Sequence, residues 1–279
     1  MAENELAHQT YHGSCHCGAF QFSVKLPQLK SVTTCNCSLC SKNGSYWTIA
    51  KTPEDVVFES GNDTLKTYEF GGKNVKYKFC PTCGSSVLGQ ITNGSTLINA
   101  RMLKDVKIST IAVNKSECIS RAPAYEHPKY TGPEIVPQTG ERLYTGSCHC
   151  GGVTLAVRTK PLSLVEVREC DCSICTANAY VFFYPKVEKV GISEANPGII
   201  TTYQFARKFL EHKFCSICGV STHVKVIGPP PEIVAKMSDA GKEQARQMVA
   251  IMPVNLRILD GVEWEEIKIS DSEGPPAAA

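Results

Sequence analysis

Apolar and polar residues alternate early in the chain. Phe20, Phe22, Val24 and Leu26 fall on one face of the run AFQFSVKL, and Gln21, Ser23 and Lys25 fall on the other. A period of two is the signature of a half-buried strand, because successive side chains of extended backbone point to opposite sides. Val153, Leu155 and Val157 repeat the pattern. The runs SYWTIAK, TLKTYEF and NVKYKF are rich in β-branched and aromatic residues and bounded by Gly, Asn and Pro, which predicts further short strands. One stretch reads differently. After Pro229, Pro230 and Pro231 comes EIVAKMSDAGKEQARQM, a fair helix-former of mixed charge, which predicts one short helix. The chain has no run of about 20 apolar residues, so no membrane span is predicted. The expected class is all-β, with one short helical insertion.

The pattern occurs twice because the sequence does. GSCHCG stands at Gly13 and again at Gly146, TYEF returns as TYQF, and KFCPTCG returns as KFCSICG. NARMLKDV, from Asn99, answers NLRILDGV, from Asn255. The offset is 133 at the first string and 135 through the middle, then 156, so the second copy carries an insertion of 21 residues. Several separate strings repeated in one order indicate an internal duplication. The expected layout is a first domain at 1–130, a linker at 131–142, a second domain at 143–269 and a disordered tail at 270–279. The stretch from His127 to Arg142 has three prolines, two glycines and no clear period, hence the linker, and the tail ends in PPAAA.

Composition adds the chemistry. Among 279 residues there are 15 cysteines. The N-terminus, MAENELAHQT, lacks a basic-then-apolar signal pattern, so the expected location is the cytoplasm, with the nucleus left open. In a reducing compartment, closely spaced cysteines read as metal ligands rather than as a disulfide frame. With 29 basic and 27 acidic side chains the charge is nearly balanced, which argues against nucleic acid as a partner. Oligomeric state cannot be read from the chain.

The first copy holds Cys15, Cys17, Cys35, Cys37, Cys40, Cys80 and Cys83; the second holds Cys148, Cys150, Cys170, Cys172, Cys175, Cys215 and Cys218. Cys118 alone lies outside the pattern and reads as a small buried hydrophobe. Structural zinc sites are closed by four ligands, whereas catalytic ones keep a position open. Seven thiolates divide naturally into four and three. Each CxxC followed by Gly is a knuckle that aims two sulfurs at one metal. CxC on extended backbone does the same, since residues i and i+2 share a face. Cys15, Cys17, Cys80 and Cys83 would then form a closed site, leaving Cys35, Cys37 and Cys40 around an open one. Other divisions stay open: Cys15 or Cys17 could join the triplet, or a His or a second chain could close every site. Iron–sulfur clusters are a further option for four cysteines. His16 and His149, between two ligands, read as solvated or as donors behind the metal. Lys42, Lys51 and Lys73 read as surface lysines, with neutralising a substrate carboxylate as the sharper alternative. Asn99, Arg101, Asn255 and Arg257 recur in both copies and could brace backbone or hold a ligand.

A zinc ion held by three thiolates is a weak activator of water but binds an incoming thiol as thiolate. The chemistry expected of the triplet is therefore bond making or breaking at sulfur, such as a small thiol adding to a carbonyl, or the reverse.

GSCHCG, CNCSLC, KFCPTCGS and NARML together make the chain resemble the glutathione-dependent formaldehyde-activating enzyme family, shared with centromere protein V, once per copy. The resemblance implies two small β-tent domains, each with one structural and one catalytic zinc, up to four per chain. By motif position it places the structural zincs on Cys15, Cys17, Cys80 and Cys83 and on Cys148, Cys150, Cys215 and Cys218. It places the catalytic ones on Cys35, Cys37 and Cys40 and on Cys170, Cys172 and Cys175. It implies a carbon–sulfur lyase (class 4.4.1) with a small glutathione-like thiol as partner; the alternative is a non-catalytic, zinc-stabilised interaction module like centromere protein V. No further cofactor-binding residues follow from it. The second copy departs from the pattern. Thr176, Ala177 and Ala179 replace Ser41, Lys42 and Gly44, Val220 follows the knuckle in place of Ser85, and Asp171 replaces Asn36. These changes favour the first copy as the catalytic one.

Overall fold

A computed structural model describes residues 8–104, 106–117 and 124–272. The chain divides into two compact units, Met1–Tyr125 with Thr176–Ala179, and Glu126–Cys175 with Tyr180–Ala279. The architecture is mostly β with a few short helices.

The first unit contains β1 (His8–Ser14), β2 (Gln21–Pro27), β3 (Ser31–Cys35), α1 (Ser38–Asn43), β4 (Tyr46–Ala50), β5 (Val56–Ser60), β6 (Lys66–Tyr68), β7 (Val75–Phe79), β8 (Ser86–Ile91), β9 (Thr96–Asn99) and β10 (Ala112–Ser116). They form a three-stranded sheet, β1-β2-β5, and a seven-stranded sheet, β10-β3-β4-β9-β8-β7-β6. The alternation expected in β2 is realised. Phe20, Phe22, Val24 and Leu26 are buried, while Gln21 and Ser23 are half-buried and Lys25 is exposed. Gly13 on β1 lies opposite Phe22, and a methyl group there would collide with the Phe22 ring.

The second unit contains β11 (Arg142–Ser147), β12 (Val153–Thr159), β13 (Val167–Cys170), the start of α2 (Ser173–Asn178), whose residues from Thr176 on count with the first unit, β14 (Val181–Phe183), β15 (Val190–Glu194), β16 (Ile200–Tyr203), β17 (Leu210–Cys215), β18 (Ser221–Val226), α3 (Pro231–Ala235), α4 (Asp239–Val249), β19 (Val254–Asn255) and β20 (Ile269–Ser272). Its sheets, β11-β12-β15 and β16-β17-β18-β19-β14-β13-β20, repeat the first unit's connectivity strand for strand. Even the one parallel pairing recurs, β10 on β3 and β20 on β13.

The differences from expectation are local. The insertion replaces the short β8–β9 turn, and it holds two helices rather than one. The first ends at Ala235, and the Ser238 hydroxyl then accepts the Gly241 amide and starts α4. α1 and α2 were not expected, because a six-residue helix is too short to show a period. The stretch read as a linker is anchored instead. Thr131 bonds Thr154 of β12 and Ser193 of β15, and Tyr130 packs where Gly191 leaves room for its hydroxyl. Glu141 pairs with Lys189 at 2.6 Å and with Arg158 at 2.9 Å. These partners, Lys189 foremost, hold its carboxyl down to about 2. With that cover in place, both faces of β12 are buried, and the polar half of its alternation disappears: Thr154 and Ala156 are as inaccessible as Leu155. The expected tail opens in a strand, since Ser270–Ser272 pair within β20; residues 273–279 and Cys118 lie outside the described residues. No described helix is long and apolar enough to cross a membrane.

Candidate metal centres

The fold brings sulfurs together in four groups. Cys15, Cys17, Cys80 and Cys83 lie with their Sγ atoms within 4.8 Å of one another, and so do Cys148, Cys150, Cys215 and Cys218. The triplets Cys35, Cys37, Cys40 and Cys170, Cys172, Cys175 converge within the same limit. Each group can hold a metal ion. In this arrangement neither Cys15 nor Cys17 joins a triplet. No disulfide occurs among the described cysteines. Neighbouring sulfurs in the four-cysteine groups stand 3.5 Å (Cys15–Cys17) and 3.6 Å (Cys17–Cys80) apart, far beyond a covalent bond of about 2.05 Å.

Local backbone explains the convergence. CxC is not on a strand, as the sequence suggested. It follows β1 in a turn, where the Gly18 amide donates to the Cys15 carbonyl at 3.0 Å and Gly18 takes φ +76°. The turn, rather than strand alternation, gathers Cys15 and Cys17, and the Phe20 amide donates to Cys15 Sγ at 3.3 Å. Each knuckle closes in the same manner: the Gly84 amide reaches the Cys80 carbonyl and Gly219 reaches Cys215, both at 2.9 Å. Both glycines hold positive φ, 74° and 75°, where a side chain would be strained. In the first unit Ser85 adds a hydroxyl to the group, accepting from Cys83 Sγ and from the His16 amide at 3.4 Å; Val220 cannot.

The triplets lie where β3 and β13 end. Cys35 closes β3, Cys37 caps α1, and Cys40 lies in its first turn. Cys35 and Cys37 are half-buried, and Cys40 is 3% exposed. The Cys37 amide donates to Cys35 Sγ at 3.4 Å, as Cys172 does to Cys170. Each triplet thus has a closed back and an accessible front.

The sulfurs also act on one another. Hydrogen bonds with Cys35 and Cys40 hold Cys37 down to about 3, and bonds with Cys35 and Cys37, then burial, push Cys40 up. Cys172 and Cys175 repeat this division. In the four-cysteine groups, Cys83 and Cys150 are held low by their neighbours while Cys15 and Cys148 are pushed high. Each group thus holds at least one sulfur that gives up its proton readily and at least one that resists a further charge beside it. A cation removes that resistance, which makes the groups suited to metal.

The remaining candidates are placed as follows. Asn99 and Asn255 brace backbone. Asn99 accepts the Tyr46 and Arg101 amides and donates to the Ser86 carbonyl at 2.7 Å; Asn255 does the same with Val181, Arg257 and Ser221. Arg101 Nε donates to the Gly44 carbonyl at 2.8 Å, and its guanidinium stacks on Tyr46, which fixes the end of α1. Arg257 lies over Trp264 instead. Lys51 and Lys73 are exposed, but Lys42, read as a surface lysine, is buried. His149 is buried as well, and His16 is half-buried, its imidazole pKa lowered by desolvation. Asp171 is exposed, like Asn36, so water screens its charge more than the sequence argument assumed.

Sequence reading missed the walls of the triplets. Trp47 Nε1 donates to Cys40 Sγ at 3.2 Å. Trp47 faces Tyr77 at 6.1 Å between ring centres, and Tyr77 stacks on Phe70 at 5.7 Å. Burial, then the triplet sulfurs, push the Tyr77 hydroxyl up. The second unit has Phe182 and His212 at the same register positions, with Tyr180 stacked on Phe182 at 4.5 Å. The signal was available: these are mismatches at the constant 135 offset between two otherwise matching copies.

The family model described as glutathione-dependent formaldehyde-activating enzyme matches residues 10–113 and 143–248, one segment per unit. Among solved structures, a Rhodobacter sphaeroides protein is 28% identical, with 37% of this chain and 99% of that protein covered, at a TM-score of 0.34.

Proposed function

The chain belongs to the glutathione-dependent formaldehyde-activating enzyme family, and from that premise we propose a zinc-dependent carbon–sulfur lyase acting on the adduct of a glutathione-like thiol. The observation that carries this reading is the pairing, in each unit, of a closed four-sulfur group with a three-sulfur group that is open on one side. Zinc fits the donors. Adjacent ligands of a tetrahedral tetrathiolate with bonds of about 2.3 Å lie about 3.8 Å apart, close to the 3.5 and 3.6 Å between Cys15, Cys17 and Cys80. Cys15, Cys17, Cys80 and Cys83, and their counterparts, would hold the structural ions; Cys35, Cys37, Cys40 and Cys170, Cys172, Cys175 would hold the reactive ones, four in all. Bound at a triplet, zinc supplies a Lewis-acidic centre with a free position that favours a thiol in its thiolate form.

The residues do the rest. Cys35 and Cys37 form the accessible rim, and buried Cys40 anchors the back. Trp47 and Tyr77 line one side with aromatic rings, and Phe70 stacks on Tyr77. In the condensing direction the thiol sulfur bonds to the aldehyde carbon, and the carbonyl oxygen takes the proton the thiol gave up. In the lyase direction the carbon–sulfur bond breaks and the same proton returns. Neither direction needs an oxidant. The first copy is the favoured site, because it keeps Lys42, Gly44, Trp47 and Tyr77 where the second copy has Ala177, Ala179, Phe182 and His212.

The test is formaldehyde consumption by zinc-loaded chain in the presence of glutathione. Cys40→Ser is expected to abolish most of it and Cys175→Ser to leave most of it. Four zincs per chain, no glutathione-dependent turnover and a cobalt spectrum unmoved by glutathione would put the non-catalytic interaction module in its place.

A further inference from the structure

Trp47 is 6% exposed and Cys40 3%, so the indole-to-sulfur hydrogen bond of 3.2 Å is dry and has no competition from water. An indole N–H can only donate. It therefore favours Cys40 as an acceptor, that is, as the deprotonated sulfur a metal needs. Trp47 is held in position by β4, where it stands opposite Asn99. Phe182 stands opposite Asn255 in β14, the same place in the second unit, and has no donor to offer.

We infer that Trp47 is a positioning residue that orients and polarises the Cys40 thiolate, so that the two triplets form inequivalent metal centres. The inference rests on the reading of the triplets as metal sites. Hydrogen bonds to a coordinating sulfur withdraw electron density from it and tune the bound metal, and such outer partners fix ligand orientation. The first triplet is thus the electron-poorer centre and the stronger Lewis acid. The second, with Phe182, keeps a sulfur of full donor strength.

The experiment is NMR of the full chain loaded with cadmium-113, a visible substitute for zinc in thiolate sites. Trp47 and Trp264 are the chain's two tryptophans, so the indole region holds two N–H signals. The Trp47 signal is expected to correlate with one cadmium resonance through the intervening sulfur, and the Trp264 signal with none. Trp47→Phe should move that cadmium resonance alone and weaken cadmium binding at that site about tenfold. Phe182→Trp should create a second indole–cadmium correlation. These need no turnover. The inference is overturned if triplet cadmium resonances are present but the wild-type indole shows no correlation and Trp47→Phe leaves every resonance in place. If cadmium occupies only the four-cysteine groups, the metal reading of the triplets fails, and this inference with it.

Discussion

Around Cys40 the first unit places an indole donor, a half-buried tyrosine and a glycine at the end of the short helix. In the second copy Phe182, His212 and Ala179 stand in the corresponding sequence positions, although the sulfurs themselves are gathered in the same way. The sulfur frame depends on backbone turns and a fixed spacing, so one substitution destroys it. The walls depend on side chains that tolerate exchange. Duplication followed by divergence has therefore left the frames alike and the surroundings different. The lesson is that matching ligands do not make matching sites, because reactivity is set by what touches the ligands.

The comparison is broken most severely at the four-cysteine groups, where the units should behave alike. Cys83→Ser and Cys218→Ser are each expected to cost on the order of 10 kcal/mol in the unit that carries them. Hydrogen exchange should show protection lost through that unit's strands, with zinc content falling. If either variant keeps full protection, its group is not a structural staple.

A smaller effect separates the units. His223 of β18 is buried, and desolvation, with Lys213 adding a lesser share, holds its imidazole down to about 3; the first unit has Leu88 at this position. A depressed imidazole pKa means that the folded state prefers the neutral ring. This stability is complete above the unfolded pKa of about 6.5 and is lost as pH falls toward the folded value, amounting to roughly 4 kcal/mol by pH 3. Chemical denaturation between pH 7 and pH 4 should show the second unit weakening with an added slope that His223→Leu removes. An unchanged slope in that variant would mean the ring carries none of the acid sensitivity.

The smallest effect lies at the helix ends. Gly44 takes φ +56°, and Ala179 takes φ +51° with its methyl group fully buried. Left-handed backbone costs a residue with a Cβ roughly 1–2 kcal/mol. Gly44→Ala should therefore destabilise the first unit by about 1 kcal/mol. Ala179→Gly relieves the same strain but gives up a buried methyl group worth about 0.8 kcal/mol, so its net change should stay below about 1 kcal/mol. Denaturant midpoints check both, and equal and opposite shifts would contradict the reasoning.

The sequence by itself determined the duplication, the sulfur groups and the strands with clean alternation. These features are local or repeated: CxC and CxxC gather sulfurs by short-range turns, and β2 keeps one face to the core while its other face stays partly open to water, with Lys25 exposed. The partition into four and three was legible because two pairs of close sulfurs need each other to close a site. Tertiary structure alone decided the rest. Only strand register brings Trp47 to Cys40 and sets Phe182 in its place, since neighbours across a sheet are fixed by pairing and not by spacing along the chain. Only packing hides the polar face of β12, because its cover, the proline-rich stretch through Glu141, has no period to announce it. Lys42 shows the same limit: its charge reads as a surface residue, and the fold buries it.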